Sequence, residues 1–85
     1  MIIETTRGFD KQYAKLDHKI VLAFKKRLEL FVCDPFNPQL SNHALKGKYL
    51  GYRSIDITGD IRALYTVRGN TVLIFAFIGS HSQLY

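Results

Sequence analysis

Between His43 and Tyr65 the chain reads H-A-L-K-G-K-Y-L-G-Y-R-S-I-D-I-T-G-D-I-R-A-L-Y, which gathers His43, Lys46, Lys48, Arg53, Asp56, Asp60 and Arg62 into one short stretch. Folding a hairpin requires far less polar chemistry than this. A similar mixture returns at the C-terminus, where Gly79-Ser80-His81 leads to the terminal Tyr85. Arginine forks match phosphate oxygens, lysine offers a point charge, and imidazole titrates near neutral pH. Cations interleaved with titratable groups point to a phosphate-handling site, with the rest of the chain as its scaffold.

Several of these residues also have a purely structural reading. Asp60 follows Gly59 at a place where any turn favours Asp. Asp56 can pair with Arg53 or Arg62 across a sheet. Tyr52 and Tyr65 read as sheet-packing aromatics. His18 has no neighbours of this kind and is assigned to solvent, and Lys25-Lys26-Arg27 reads as a solvated helix face. His43, in a loop beside Lys46 and Lys48, is better explained functionally. His81 is the strongest candidate, because the polar run Gly79-Ser80-His81-Ser82 directly follows an apolar strand with no evident packing duty.

The elements that must position these residues follow from the rest of the chain. Its 85 residues allow one domain, spanning 1–85, and 47% apolar composition with six Phe and five Tyr gives a dense core for that size. The net charge of +5 suits a polyanion or an acidic protein. A single cysteine, Cys33, excludes an internal disulfide and suits a reducing cytosol. It falls in the last turn of a helix, where the dipole disfavours a thiolate, and reads as a buried structural thiol. Ile2-Ile3 is followed at once by Glu4, so no signal or membrane span opens the sequence. The expectation is a soluble cytoplasmic protein with no membrane partner.

Residues 1–6 read as a short strand, released by Gly8. Phe9, Tyr13 and Leu16 then recur at helical spacing, and Asp17 is placed to cap a second helix. There Ile20, Phe24, Leu28 and Phe31 form an apolar stripe that Val21 and Val32 widen. Asp34-Pro35 ends that helix. Three strands follow, over 51–58, 61–67 and 71–78, joined at Gly59-Asp60 and Gly69-Asn70. The last strand is apolar on both parities and should be central and covered on both faces. The order β-α-α-β-β-β predicts an α+β fold with a helical hairpin packed on an antiparallel sheet.

That order, together with His43-Ala44-Leu45-Lys46-Gly47, Gly51-Tyr52-Arg53, Asp60, Arg62, Tyr65, and the closing Ile78-Gly79-Ser80-His81 with Leu84-Tyr85, resembles the YafQ branch of the RelE/ParE toxin superfamily. The resemblance covers the whole chain. It implies a small cytoplasmic ribonuclease of a bacterial toxin-antitoxin pair that cleaves mRNA in the ribosomal A site. It also implies neutralisation by an antitoxin encoded beside it, and contact with operator DNA only through the antitoxin complex. His43, Asp60, His81 and the terminal aromatic Tyr85 match the family pattern. Asp56 departs from it, standing where the best-known members have a further histidine.

The residues can supply what such a reaction requires. RNA cleavage without metal or cofactor needs a base for the 2′-hydroxyl, cations for the phosphorane and an acid for the departing 5′-oxygen. His81 suits the acid. His43 and Asp60 are candidates for the base or for orienting it, and Asp56 could take over the base role. Arg62 suits the electrostatic role, with Lys46, Lys48 and Arg53 in support, while Tyr85 could stack on a base or donate to phosphate. Two other readings stay open: a ParE-like toxin that binds DNA gyrase and needs no acid-base pair, and a degenerate RNA-binding relic that the Asp56 departure would explain.

Overall fold

Thr6 decides how the chain leaves its opening strand. Its backbone is extended, its Oγ1 accepts from the Phe9 amide at 3.1 Å, and the same hydroxyl donates to the Ala76 carbonyl at 3.0 Å. One side chain thus caps a helix and ties it to the sheet. In the computed structural model, which describes residues 2–85, β1 (Ile2–Thr5) is followed by α1 (Arg7–Ala14) and α2 (His18–Cys33). Met1, the first residue of the expected strand, lies outside the described residues. Gly8 falls inside α1 rather than releasing the chain, because the Thr6 cap starts the helix at Arg7. Asp17 holds the expected cap position, yet its side chain makes no capping bond; its carbonyl accepts from Ile20 and Val21 at 2.9 and 3.1 Å.

Beyond the helices come β2 (His43–Ala44), β3 (Arg53–Asp56), β4 (Ile61–Arg68), β5 (Val72–Ser80) and a C-terminal turn of helix, α3 (His81–Leu84). Short 3₁₀ turns at Pro38–Leu40 and Gly47–Tyr49 flank β2. The sheet has five strands in the order β1-β5-β4-β3-β2. The expected α+β fold and the antiparallel meander of the last three long strands are present. At one edge the sheet is mixed, since β1 runs parallel to β5 from Ile2↔Val72 to Thr5↔Phe75. The connection between β1 and the rest of the sheet contains both helices, which is long enough to permit a parallel return. The link between β3 and β4 is longer than a two-residue turn. It spans Ile57 to Asp60 and is organised by Thr58 Oγ1, which accepts from the Asp60 and Ile61 amides at 3.3 and 3.0 Å.

β5 is central and covered on both faces, as its apolar parity requires. On one face Phe75 is fully buried against the helical hairpin, with ring centroids 5.4 Å from Phe24 and 5.8 Å from Phe9. Tyr65 joins this core at 5.1 Å from Phe31. On the other face Phe77 meets Tyr49 and Tyr52 edge-on at 5.4 and 5.8 Å. A bulge pairs Leu64 with Phe77 but Tyr65 with Phe75, leaving Ala76 as the extra residue.

Two expectations for α2 fail together. Val32 is 58% exposed and Cys33 is exposed, so neither widens the buried stripe and the thiol is not buried. Phe31 is the last inward residue of the helix, and successive residues turn by about 100°, which swings positions 32 and 33 away from the sheet. Among the described residues, no helix is long and apolar enough to cross a membrane.

Candidate active site

Side chains alternate across a strand, so adjacent residues of β3 serve opposite faces of the sheet. Ile55 enters the core under the helices, and Arg53 borders a groove with Phe31, Tyr65 and Leu73 on that side. Ser54 and Asp56 belong to the other face. There the cross-strand pairs are His43↔Ser54, Asp56↔Arg62 and Arg62↔Gly79. His43, Leu45, Ser54, Arg62, His81 and Tyr85 line a cleft of about 380 Å³ on this face.

His43 enters the cleft in a defined hydrogen-bonding state. Ser41 sits in the left-handed region at φ 46°, and its carbonyl lies 2.7 Å from His43 Nδ1. A carbonyl only accepts, so Nδ1 carries the proton and Nε2 is the nitrogen available for exchange. Arg62 is held from two sides. Its Nε is 2.9 Å from Asp56 Oδ1, and its Nη1 donates to the Thr58 and Gly59 carbonyls at 3.1 and 3.2 Å. The Asp56 carboxylate is thus engaged as the cross-strand partner of Arg62.

The C-terminal residues are folded back onto β5. Ser80 and Gln83 form a reciprocal capping box: Ser80 Oγ accepts from the Gln83 amide, and Gln83 Oε1 accepts from the Ser80 amide at 2.8 Å. Gly79 leaves room beneath it: a Cβ there would stand 3.0 Å from Gln83 Oε1, and the Gln83 side chain would have to shift to admit it. Leu84 is buried, and Tyr49 Oη donates to its carbonyl at 2.7 Å. His81 is placed by this turn: its amide donates to the Asp60 carbonyl at 3.2 Å, and its ring lies 4.8 Å from that of Tyr85. The polar run around His81 therefore has a packing duty after all, and Ser80-x-x-Gln83 was its readable signal.

Four of the expected residues, His43, Arg62, His81 and Tyr85, meet at one cleft. Asp60 reaches it only through its carbonyl; its side chain is exposed in the turn and makes no ion pair among the described residues. Lys46 and Lys48 are exposed around the 3₁₀ turn outside the cleft lining, with Lys48 Nζ 5.1 Å from the Tyr49 ring. Arg53 is not brought to the cleft. Its parity points it to the helix side, where Nε donates to Asn42 Oδ1 at 2.9 Å and the guanidinium lies over Phe36 at 5.4 Å. Tyr65 Oη also donates to Asn42 Oδ1 at 3.0 Å. Arg53 and Tyr65 thus fix the residue immediately before His43. Sequence reasoning missed Asn42, Leu45 and Ser54; the shared parity of Ser54 with Asp56 was the available sign for the last.

The model of a family described as the bacterial toxin of type II toxin-antitoxin system, YafQ, matches residues 1–85. Among solved structures, YafQ from E. coli strain BL21(DE3) superposes with a TM-score of 0.81 at 24% identity, over 98% of this chain and 96% of that one. A copper-bound mutant toxin from Helicobacter pylori gives 0.75 at 29% identity, over 100% and 99% of the two chains. YafQ in the E. coli DinJ-YafQ complex gives 0.71 at 23% identity, over 98% and 96%. No curated protein matches the chain.

Proposed function

Because the chain belongs to the YafQ family of bacterial type II toxin-antitoxin toxins, we propose that it is a cytoplasmic endoribonuclease that cleaves mRNA in the ribosomal A site by metal-free acid-base chemistry. The observation that carries this reading is the convergence of His43, Arg62, His81 and Tyr85 on one cleft. A toxin acting only by binding, as on gyrase, has no use for two histidines around a bound arginine.

In the proposed reaction His43 Nε2 takes the proton of the 2′-hydroxyl, and the 2′-oxygen attacks the adjacent phosphorus. The P–O5′ bond breaks, and His81 protonates the departing 5′-oxygen, leaving a cyclic phosphate. Arg62 stabilises the charge that builds on the phosphorane, and its clamp by Asp56 and the turn carbonyls preorganises it for that task. Asp56 therefore acts through Arg62 rather than as the base. Asp60 positions His81 through its carbonyl, Tyr85 braces the His81 ring and offers a stacking surface, and Lys46 and Lys48 supply long-range attraction for the RNA.

The reading includes a protein partner. E. coli YafQ has been solved with DinJ, and a chain of net charge +5 is suited to an acidic antitoxin segment laid over the cleft. Contact with operator DNA would then run through that complex. Primer-extension mapping of mRNA during expression without an antitoxin tests the activity. In-frame cuts that depend on translation are expected; intact mRNA with accumulated DNA breaks would overturn the nuclease reading in favour of gyrase.

A further inference from the structure

The floor of the cleft holds a polar atom that the fold does not use. Ser54 is 1% exposed, and its Oγ has no hydrogen-bond partner among the described residues. It sits on an interior strand, paired with His43 of the edge strand on one side and Leu64 on the other, and it lines the cleft with Arg62 and His81. A buried hydroxyl without a partner destabilises a fold, and an Ala or Val would serve that strand position better. Such orphans call for an explanation in the site they face.

We propose that Ser54 is a substrate-binding residue whose hydroxyl donates to a non-bridging phosphate oxygen at the floor of the cleft. The chemistry is matched. Phosphate oxygens only accept, the hydroxyl has no competing partner among the described residues, and Arg62, which lines the same cleft, supplies the positive charge that draws the anion in. Because Ser54 is almost wholly buried, the side chains lining the cleft must part to admit the anion to its Oγ. A neutral donor in the cleft that both imidazoles line adds a hydrogen bond without adding charge that would disturb their proton transfers. Its desolvated setting makes that bond stronger than one made in water. The inference deepens the nuclease reading and rests on it for the phosphate being that of an RNA backbone.

The test compares the parent with Ser54→Ala in three measurements. Removal of an unpaired buried hydroxyl should leave the melting temperature unchanged or raise it. Titration with inorganic phosphate, followed by amide chemical shifts, should move Ser54 and Arg62 in the parent and show affinity weakened roughly tenfold or more in the variant. Single-turnover cleavage on programmed ribosomes should slow by about 10²-fold. Should alanine loosen the sheet, Ser54→Cys fills the position with a slightly larger side chain of the same shape and a poor donor, and gives the same comparison without a cavity. Phosphate that shifts no cleft amide, or equal phosphate affinity in parent and variant, overturns the proposal. A parent that binds phosphate through Ser54 but cuts no RNA would overturn the nuclease reading and leave the phosphate site standing.

Discussion

Arg53 and Ser54 are neighbours in sequence and lie on opposite faces of one sheet, and the two faces follow different rules. Under the helices the core aromatics find partners: Phe9, Phe24, Phe31, Tyr65 and Phe75 are buried and packed ring against ring. Even the polar groups there form a closed set, with Asn42 Oδ1 accepting from both Arg53 and Tyr65. On the cleft face, among the described residues, a buried hydroxyl is unpaired, a histidine has one nitrogen tied and one without a partner, and an arginine is held through Nε and Nη1 but not Nη2. The first face maximises satisfied contacts. The second withholds them, and groups held in place but incompletely bonded are the ones able to meet a ligand.

Substitutions should separate the two faces by what they damage. The largest effect on chemistry is expected from His81→Ala, which removes the proposed acid and should cut single-turnover cleavage by roughly 10² to 10⁴-fold with the melting curve unchanged. Parental activity in that variant would break the assignment of the cleft. Phe75→Ala on the opposite face should do the reverse, costing about 3 to 5 kcal/mol of stability. That loss is large beside the roughly 4 to 13 kcal/mol typical of a chain this size. Urea denaturation would register it, and a midpoint unchanged from the parent would show the aromatic cluster to be slack.

Arg62→Ala should slow cleavage by about 10² to 10³-fold, and the residual activity should be less sensitive to salt than the parent's. The sharper comparison is Arg53, which a purely phosphate-binding role would make behave like Arg62. Its position predicts otherwise. Asn42→Ala, which strands Arg53 Nε and Tyr65 Oη, should cost about 1 to 3 kcal/mol in stability and lower kcat with KM little changed. A rise in KM with strong salt dependence in Arg53→Lys would instead return that residue to substrate binding. The smallest effect belongs to Cys33→Ser: an exposed thiol at a helix end should shift stability by no more than about 0.5 kcal/mol.

Local chemistry made much of this molecule legible before its shape was known. The helical spacing of Phe24, Leu28 and Phe31, the stop at Asp34-Pro35, the doubly apolar β5 and the order of elements all depend on neighbours within a few residues. His43, Arg62, His81 and Tyr85 stood out by type and by family pattern. What the tertiary structure decided was which face each residue serves. A strand's parity is set by its register with its partners, so Arg53 and Ser54 exchanged the roles that residue type suggested. The parallel seating of β1 on β5 depends on where two helices return the chain. The exposure of Cys33 depends on where α2 leaves the sheet. Ser54 looks unremarkable in sequence; only the closing of His43, Arg62 and His81 around it makes its unpaired hydroxyl a feature, because hydrogen-bond satisfaction is a property of the packed assembly.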